Sequence, residues 1–409
     1  MQLPLKYNIS ESRILPVWIT VILMLRIVIT FTVFGFLQSL SYLVFAFTWL
    51  DFLIISFLYI RRMRMTTYGM SVFVYMMMIV VFTIINGTDI KTSIYNAMEI
   101  FSFLCLLSYY SNRLKLILYT IALSLSLAVY ANLLIMIMFP DWMFAAENEF
   151  DSFLLGGNYN QMGCRMICAM IATVLCIRYD KKWIINIVFV ALAALITLIM
   201  VGSMTALANI LLFSFLCLIP SRRLLMVSLV GFFLFYVFFQ CVVCFTGEGL
   251  HNNELAVYII EDLMGKDLTF TNRTEMWDAA AGKFAESPII GWGWVDSDWY
   301  TSQMSSAAIG PHNYIYSVLI NGGLIGISVM ILSCVIAVRR WWGCFDRTGL
   351  LLLLGTVSLL FMSCFEVYKT FFVVYLFAMI YYYPDFYKDS PEEEQIESET
   401  AAGKEVEVC

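Results

Sequence analysis

The sequence predicts an all-α polytopic membrane protein, with about twelve transmembrane helices and one large extracytoplasmic loop that contains short helices. Three observations lead to this fold class. Apolar residues make up 61% of the 409 residues and charged residues only 13%, far from the composition of soluble domains. The mean hydropathy is +0.83. Apolar runs of about 18 or more residues, long enough to span a bilayer, recur along the chain.

Each apolar run is interpreted as one membrane span. In chain order the predicted spans are 15–35, 41–60, 69–86, 95–110, 114–138, 158–177, 183–201, 204–219, 223–245, 312–338, 349–364 and 369–383. Seventeen Lys and Arg residues then fall in the segments on one side of the membrane and five on the other, while Arg26 and Arg165 lie inside spans. Because cytoplasmic segments carry the excess of positive charge, both termini are predicted to be cytoplasmic.

These spans divide the chain into four regions. Residues 1–245 form spans one to nine, 246–311 the large extracytoplasmic loop, 312–384 the last three spans, and 385–409 an acidic cytoplasmic tail. The tail supplies much of the net charge of −6, and its polar, acidic composition predicts disorder. The eleven cysteines lie mostly within spans, which predicts apolar packing rather than a disulfide framework.

The large loop contains the sequence TNRTEMWDAAAGKFAESP, which predicts a helix. Asn272 is placed as its N-cap, with Glu275 as the reciprocal partner, and Pro288 follows its end. Arg273 and Trp277 would share a largely apolar face, suited to lying along the outer membrane surface. The next segment, IIGWGWVDSDWY, combines glycines that permit a tight turn with indoles that favour the headgroup region. The loop is therefore expected to lie against the bilayer.

The stretch GPHNYIYSVLINGGLIG, residues 310–326, holds one of the two histidines of the chain. Pro311 suits the first position of a helix because its missing N–H costs nothing there. The amides of His312 and Asn313 would then be donors for a phosphate at the positive end of the helix. A histidine in this turn can also move a proton. An interfacial histidine that only caps a span fits the same stretch equally well.

Three segments, in this order on a twelve-span background, resemble the O-antigen ligase and polysaccharide polymerase (Wzy-type) superfamily. They are GGNYNQMG at the sixth span, NRTEMWDAAAGKFAESPIIGWGW in the loop and GPHNYIYSVLINGGLIGI at the tenth span. Family members carry an N-x-N, a loop helix with R-x-x-x-W followed by P-x-x-G-x-G, and a His-Asn pair heading the next helix. The motifs cover about 156–330, under half of the chain. The downstream Gly322, Gly323 and Gly326 are predicted to allow close helix packing.

The resemblance implies a GT-C-like glycosyltransferase of the bacterial cell (inner) membrane that acts on its outer face. Its donor would be a glycan on a polyprenyl diphosphate, undecaprenyl in bacteria, and its acceptor a sugar hydroxyl. The transfer would invert the anomeric centre and use no metal and no cofactor. A polymerase that joins lipid-linked repeat units of an O-antigen, capsule or exopolysaccharide is favoured slightly over a ligase, because charges around polymerase sites vary more.

A lipid-linked glycan flippase or transporter is the alternative from another functional class. It would require broken helices, internal repeats and a polar site at the membrane midplane, and no repeat is visible in the hydropathy pattern. The expected partners are the donor and acceptor lipid-linked oligosaccharides and the membrane lipids. A flippase and a chain-length regulator are further candidates, and no nucleic acid is expected.

The resemblance also assigns residues. His312 would assist the acceptor hydroxyl or the leaving group, and Arg273 would neutralise the diphosphate. The substrate-binding candidates are Asn313, Arg165, Asn158, Asn160, Lys283, Trp277, Gly291 and Gly293. A second family arginine, in an S-R-x-A at the eighth span, is replaced here by Met204. Because a departing diphosphate must be met by positive charge, Arg165 is predicted to take its place, with Lys283 as the second candidate.

Overall fold

The structure is a computed structural model that describes residues 65–138, 161–247, 249, 273–304, 310–366 and 371–386, with scattered positions between 46 and 56. Throughout these residues the regular structure is helical, without strands, and several helices are long and apolar enough to cross a membrane. The predicted fold class, an all-α polytopic membrane protein, is confirmed.

The helices are numbered here in chain order within the described residues. The first seven are α1 Thr67–Asn86, α2 Ile90–Tyr109, α3 Leu114–Met138, α4 Met162–Ile177, α5 Trp183–Val201, α6 Met204–Leu218 and α7 Arg222–Phe238, which continues into a π-helical turn Phe239–Cys244. The remaining five are α8 Arg273–Glu286, α9 Ser297–Gln303, α10 Tyr314–Trp341, α11 Arg347–Met362 and α12 Phe371–Phe386.

Every predicted span from 69–86 onward coincides with one of these helices to within a few residues. Helices α1, α2, α3, α5, α10 and α7 with its π turn are long enough to cross a membrane, whereas α4, α6, α11 and α12 are apolar but shorter. The predicted span 15–35 lies outside the described residues, and 41–60 lies largely outside them. The count of twelve spans and the division into four regions therefore stay predictions.

The core of the bundle forms around α4, whose side chains are almost all buried. Small residues let its neighbours approach closely. A Cβ added to Gly163 would lie 2.4 Å from the Cβ of Ala206 in α6, and one added to Gly355 of α11 would lie 2.5 Å from Ile171. Such small-residue contacts are common in membrane helix packing. Lipid tails are as apolar as the side chains, so helices associate through close packing rather than through the hydrophobic effect.

The end of the bundle at which α4, α6 and α10 finish is called here the basic end. Arg178, just after α4, forms an ion pair with Asp346 with an Nη1–Oδ2 distance of 2.9 Å. The Tyr383 hydroxyl donates to the same carboxylate at 2.6 Å. Arg340 and Asp385 form a second ion pair at 2.5 Å. These contacts tie the ends of α4, α10, α11 and α12 together.

The opposite end, called here the site end, is organised by a break in α10. Gly323 has φ 59° and ψ −158°, so the helix is interrupted there. Residues 288–294, called here the docked loop, supply hydrogen bonds across the break. Leu324 N donates to the Pro288 carbonyl at 2.8 Å, and Trp292 N donates to the Ile320 carbonyl at 2.7 Å. The break is tolerated in an apolar span because its freed backbone groups bond to protein rather than facing lipid.

The loop helix α8 also differs in placement from its prediction. The predicted helix is confirmed over Arg273–Glu286, and its predicted N-cap, Asn272, lies outside the described residues. Its apolar face does not lie on the membrane surface, however. Trp277 and Ala280 have no solvent exposure and pack in one hydrophobic cluster with Tyr316 and Ile320 of α10. The face that was predicted to lie on lipid packs against α10 instead. Its apolar side chains are buried by protein rather than by the membrane.

Candidate functional site

Helix α10 begins at Tyr314, with Asn313 as its N-cap. The prediction that Pro311 occupies the first helical position is therefore wrong. The Asn313 side-chain oxygen accepts from the amides of Ile315 and Tyr316 at 2.9 and 3.2 Å. Asparagine is among the strongest N-caps because its short side chain reaches back to these donors, and this preference moves the helix start two residues beyond His312.

This start changes the predicted anion site. The amides of His312 and Asn313 precede the helix and do not belong to its first turn. Within that turn, Tyr314 N donates to the Ser363 carbonyl at 2.9 Å, and Ser317 N donates to the Asn313 carbonyl at 3.0 Å. With the two amides that Asn313 caps, the first turn is satisfied by protein groups. The positive end of α10 is therefore not an open cradle for phosphate.

His312 itself has a left-handed backbone, with φ 44°, and no other non-glycine residue among those described has a positive φ. This conformation is costly for a residue with a Cβ and persists only where neighbours enforce it. One such neighbour is Trp277, whose Nε1 donates to the His312 carbonyl at 3.5 Å. Trp277 was predicted to bind substrate, but its side chain is fully buried and instead supports the histidine.

The imidazole faces a carboxylate that the sequence analysis missed. Glu366, just after α11, lies with Oε1 3.7 Å from His312 Nδ1 and with Oε2 3.7 Å from Arg273 Nη2. Arg273 Nε also donates to the Phe365 carbonyl. The Glu366 side chain is only 4% exposed. The structure thus brings the two predicted catalytic residues to one buried carboxylate, and a single acidic residue at the end of the eleventh apolar run was the available signal.

Burial and, second to it, the positive charge of Arg273 lower the pKa of His312 from 6.5 to about 4. The ring is therefore neutral at neutral pH, so it accepts a proton rather than carrying positive charge. Its Nδ1 lies 3.7 Å from Glu366 Oε1, and the Phe365 backbone also interacts with the ring. A neutral imidazole next to a buried carboxylate can act as a general base.

Asn313 was predicted to bind substrate, but its side chain is engaged within the protein. It is 1% exposed. Besides capping α10, its Nδ2 donates to Gln240 Oε1 at 3.0 Å, and Gln240 Nε2 donates back to its Oδ1 at 3.4 Å. The structure therefore assigns Asn313 to holding the turn that carries His312. The predicted candidates Asn158 and Asn160 lie outside the described residues.

Arg165 lies at the site end, in the first turn of the buried helix α4, and is 5% exposed. Its guanidinium carbon is 5.5 Å from the centre of the Phe372 ring, and Nη1 lies 3.5 Å from the Gln161 carbonyl. Met204, at the position of the missing family arginine, is 67% exposed. That position faces away from the bundle core, whereas Arg165 carries its charge inside it.

Lys283, the second candidate cation, lies in the last turn of α8. Its Nζ pairs with Glu286 Oε1 at 2.8 Å and lies 3.4 Å from Gln303 Oε1. Ten residues separate it from Arg273, about 15 Å along the helix axis. Lys283 is therefore held in a surface ion pair away from the imidazole, and the structure does not bring it to the cluster.

Gly291 and Gly293 were predicted to bind substrate, and the structure gives them a different role. Both have positive φ, 65° and 76°. A Cβ on Gly291 would lie 2.4 Å from the Ile320 carbonyl oxygen, and one on Gly293 would lie 2.3 Å from the Thr83 backbone. Trp294 N completes the contact by donating to Thr83 Oγ1 at 2.7 Å. The two glycines thus let the docked loop pass between α1 and α10.

The downstream glycines were predicted to allow close helix packing, which Gly322 and Gly326 do against α1, whereas Gly323 does not. Gly323 makes the break in α10 itself, and a Cβ there would lie 2.3 Å from the Ile289 carbonyl oxygen. A Cβ on Gly322 would lie 3.0 Å from Ile79 of α1, whereas one on Gly326 would lie 3.8 Å from the Tyr75 ring. The close approach is therefore mainly between helix and docked loop, and only Gly322 and Gly326 face a neighbouring helix.

An apolar groove of about 840 Å³ runs along α10, on the side toward α7 and α12. Its lining extends from Ile315 next to the site end to Val338 next to the basic end, where Arg339 also contributes. Counted at 1.5 Å per residue, as in an unbroken helix, these positions on α10 would be about 35 Å apart. The hydrocarbon core of a bilayer is about 30 Å thick, so the groove follows α10 along most of a membrane crossing.

The comparisons with known proteins bear on this region. Residues 189–331 match the family model described as O-antigen ligase. The matched range runs from within α5 to within α10 and includes Arg273 and His312, whereas Arg165 and Glu366 lie outside it. No curated protein matches the chain.

Proposed function

Through residues 189–331 the chain belongs to the O-antigen ligase superfamily, and we propose that it is a polysaccharide polymerase of the bacterial inner membrane. It transfers a glycan from a polyprenyl diphosphate to a sugar hydroxyl of a second lipid-linked repeat unit at the extracytoplasmic face. One observation carries the proposal. A buried carboxylate, Glu366, lies 3.7 Å from both the His312 imidazole and the Arg273 guanidinium, near the end of an apolar groove.

His312 is the general base. Nε2 takes the proton of the acceptor hydroxyl while the oxygen attacks the anomeric carbon of the donor, and the bond from that carbon to the diphosphate breaks. Attack from the face opposite the departing group inverts the anomeric centre. Glu366, 3.7 Å from Nδ1, stabilises the imidazolium that forms by its negative charge.

Arg273 meets the departing diphosphate. Its Nη2 lies 3.7 Å from Glu366 Oε2, and a guanidinium can donate to two phosphate oxygens at once. The side chain keeps 20% exposure. Charge that develops on the leaving group is thereby met by a donor already in place, which is how such sites lower barriers. Arg165, buried in the first turn of α4, supplies the second positive charge.

The groove supports a long-chain lipid as the donor's anchor. An ordinary acyl chain fills one leaflet, half of the hydrocarbon thickness, whereas the groove follows α10 along most of a membrane crossing. A polyprenyl chain is long enough to occupy it. With the chain in the groove, the diphosphate at its head lies beside Ile315, three residues from His312.

The transport alternative finds less support. A carrier needs broken helices that line a path, and α10 is broken at Gly323. The groups freed by that break bond to the docked loop, however, rather than facing a cavity. Among the described residues, His312, Arg273 and Glu366 come together at the site end of the bundle. Both features favour surface chemistry over translocation.

The test is transfer by the purified protein in proteoliposomes, supplied with lipid-linked oligosaccharides extracted from the host. The expected product without nucleotide sugar or metal is a longer glycan still attached to the lipid carrier. His312→Asn and Arg273→Gln should abolish it. Lys283→Gln, which removes a cation from the same helix as Arg273, is the matched control and should retain transfer.

Three outcomes contradict the proposal in distinct ways. Glycan delivered to an acceptor other than a lipid-linked repeat unit identifies a ligase. Movement of the lipid-linked oligosaccharide across the bilayer with no change in glycan length identifies a flippase. Unchanged glycan elongation in His312→Asn removes the imidazole from the chemistry.

A further inference from the structure

We propose that Gln240 is a positioning residue that fixes the backbone of His312, and with it the approach of the imidazole to Glu366, through a paired side-chain amide with Asn313. Its effect on catalysis rests on the proposed function. Its effect on the conformation of His312 does not, and can be tested without a substrate.

Gln240 is unusual in its surroundings. It lies in the π-helical turn Phe239–Cys244 that ends α7, within the sequence FFQCVVC, and is 5% exposed. A buried amide in an apolar membrane helix is costly unless every polar atom finds a partner. A π turn shifts the residues that follow around the helix, and such turns are frequent at functional sites. Here the turn carries Gln240 at the level of the N-cap of α10.

The contacts of Gln240 connect both sides of the site. Its amide pairs with the Asn313 amide by two hydrogen bonds of 3.0 and 3.4 Å. Its Oε1 also accepts from Cys364 Sγ at 3.5 Å. Asn313 is the residue after His312, and Cys364 lies two residues before Glu366. One side chain on α7 thus contacts both chain segments that carry the imidazole and the carboxylate.

The strain at His312 explains why such a contact matters. A left-handed histidine relaxes unless its neighbours hold it. Trp277 Nε1 donates to the carbonyl of the peptide that follows His312. Asn313, the next residue of that peptide, must keep its side-chain oxygen toward the α10 amides and its NH₂ away from them. The Gln240 carbonyl oxygen, which accepts from that NH₂, fixes this orientation. Without Gln240 the cap can rotate, and the peptide after His312 loses one of the contacts that hold it.

The direct test is a pH titration of the His312 imidazole by NMR in Gln240→Met, which keeps the volume of the side chain but not its hydrogen bonds. The background is His251→Asn, so that a single imidazole remains. In the parent, where burial lowers the pKa of His312 to about 4, we expect a midpoint near that pH. In Gln240→Met we expect the midpoint to move upward by at least about one pH unit, toward the 6.5 of a solvated ring. An unchanged midpoint overturns the proposal.

Asn209→Leu is the matched control. Asn209 is also a buried amide in a membrane helix, bonded to Thr205 and to Ser358 of α11, but it has no contact with Asn313. We expect the His312 midpoint to stay in place in this variant. An equal shift in both variants would mean that any lost amide loosens the bundle, and would also overturn the proposal.

The transfer assay adds the catalytic consequence. Gln240→Met should lower kcat about ten- to a hundredfold, with KM changed less than about threefold, because misplacement of a base affects the chemical step more than binding. Gln240→Glu keeps the acceptor oxygen for Asn313 and should recover part of kcat. If wild-type protein shows no transfer, the proposed function fails, whereas the titration still decides the role of Gln240. If Gln240→Met changes KM and leaves kcat as in wild type, Gln240 does not position the base.

Discussion

The two ends of the helix bundle hold their charges in different ways. At the basic end, Arg178 and Asp346 lie 2.9 Å apart, and Arg340 and Asp385 lie 2.5 Å apart. These are the short contacts of charge-assisted hydrogen bonds, about 2.5–2.9 Å. Each pair joins residues far apart in the sequence. The charges at this end are paired with one another, and their role is to fasten helices.

At the site end the distances are longer. Glu366 lies 3.7 Å from both Arg273 and His312, at 4% exposure. A buried carboxylate at such distances contributes little to stability, because desolvation offsets much of the attraction. The two ends thus show two arrangements of charge in this bundle. Short ion pairs join helices at the basic end, whereas at the site end one buried carboxylate lies next to both an arginine and a histidine.

The largest expected effect is a loss of transfer at the site end that leaves the stability of the bundle unchanged. His312→Asn should lower transfer by about 10²–10⁴-fold, the contribution typical of a positioned base. Thermal stability should hardly change, since asparagine tolerates the left-handed backbone that His312 adopts. His251→Asn is the control and should behave as wild type. The readout is glycan length on the lipid carrier. Comparable elongation in both variants would show that the site end does not carry the chemistry.

The next effect is on the fold at the site end. Gly293→Ala should destabilise the protein by more than about 2 kcal/mol, because a Cβ would lie 2.3 Å from the Thr83 backbone and the φ of 76° suits glycine alone. Thermal unfolding in detergent measures it. Gly282→Ala, on the open face of α8 with nothing within 4 Å of the new Cβ, should be neutral or stabilising by up to about 1 kcal/mol. Equal melting temperatures would mean that the docked loop adapts.

A pair of carboxylate-to-amide changes sharpens the comparison directly. Glu366→Gln should lower transfer about ten- to a hundredfold with little loss of stability, since it removes a buried charge. Asp346→Asn should leave transfer intact but destabilise by up to about 1 kcal/mol, through loss of the partly exposed Arg178 ion pair, while asparagine keeps the N-cap of α11. Each variant is the control for the other. Loss of transfer in folded Asp346→Asn would contradict the distinction between a structural basic end and a functional site end.

The smallest effect is the position of the acid limb of the pH–rate profile. The lowered pKa of His312 means that its basic form persists as pH falls and is lost only near pH 4. The rate should therefore stay nearly constant from pH 7 to pH 5 if protein stability holds. An unperturbed histidine would already lose half its basic form at about pH 6.5. A rate halved at that pH would show that the ring is solvated during turnover.

The sequence predicts the bundle better than the site. Apolar runs locate the described spans because lipid imposes a length and a composition on each helix. His312 and Arg273 were identified by motif, and the structure brings them together. Glu366 was missed because a single carboxylate after an apolar run has no local pattern. Its position next to His312 is visible only in the fold, where the end of α11 lies beside the start of α10.

Sequence patterns do not distinguish a residue that binds substrate from one that packs. Trp277, Gly291 and Gly293 have the composition of a ligand site, and in the structure they pack the docked loop and α8 against α10. Their contact with substrate stays a prediction. The start of α10 was misplaced because Pro311 and Asn313 are both favourable helix-start residues. The capping bonds of Asn313 decide between them, and such a choice depends on three-dimensional contacts.

The break in α10 also has a consequence for biosynthesis. The carbonyl of Ile320 and the amide of Leu324 bond to the docked loop, and so do the carbonyl of Asn321 and the amide of Ile325. Left in hydrocarbon, each such group costs several kcal/mol. Residues 288–294 are translated before residues 320–325, so the docked loop has already left the ribosome when the broken helix enters the bilayer. The order of translation thus provides these partners before α10 needs them.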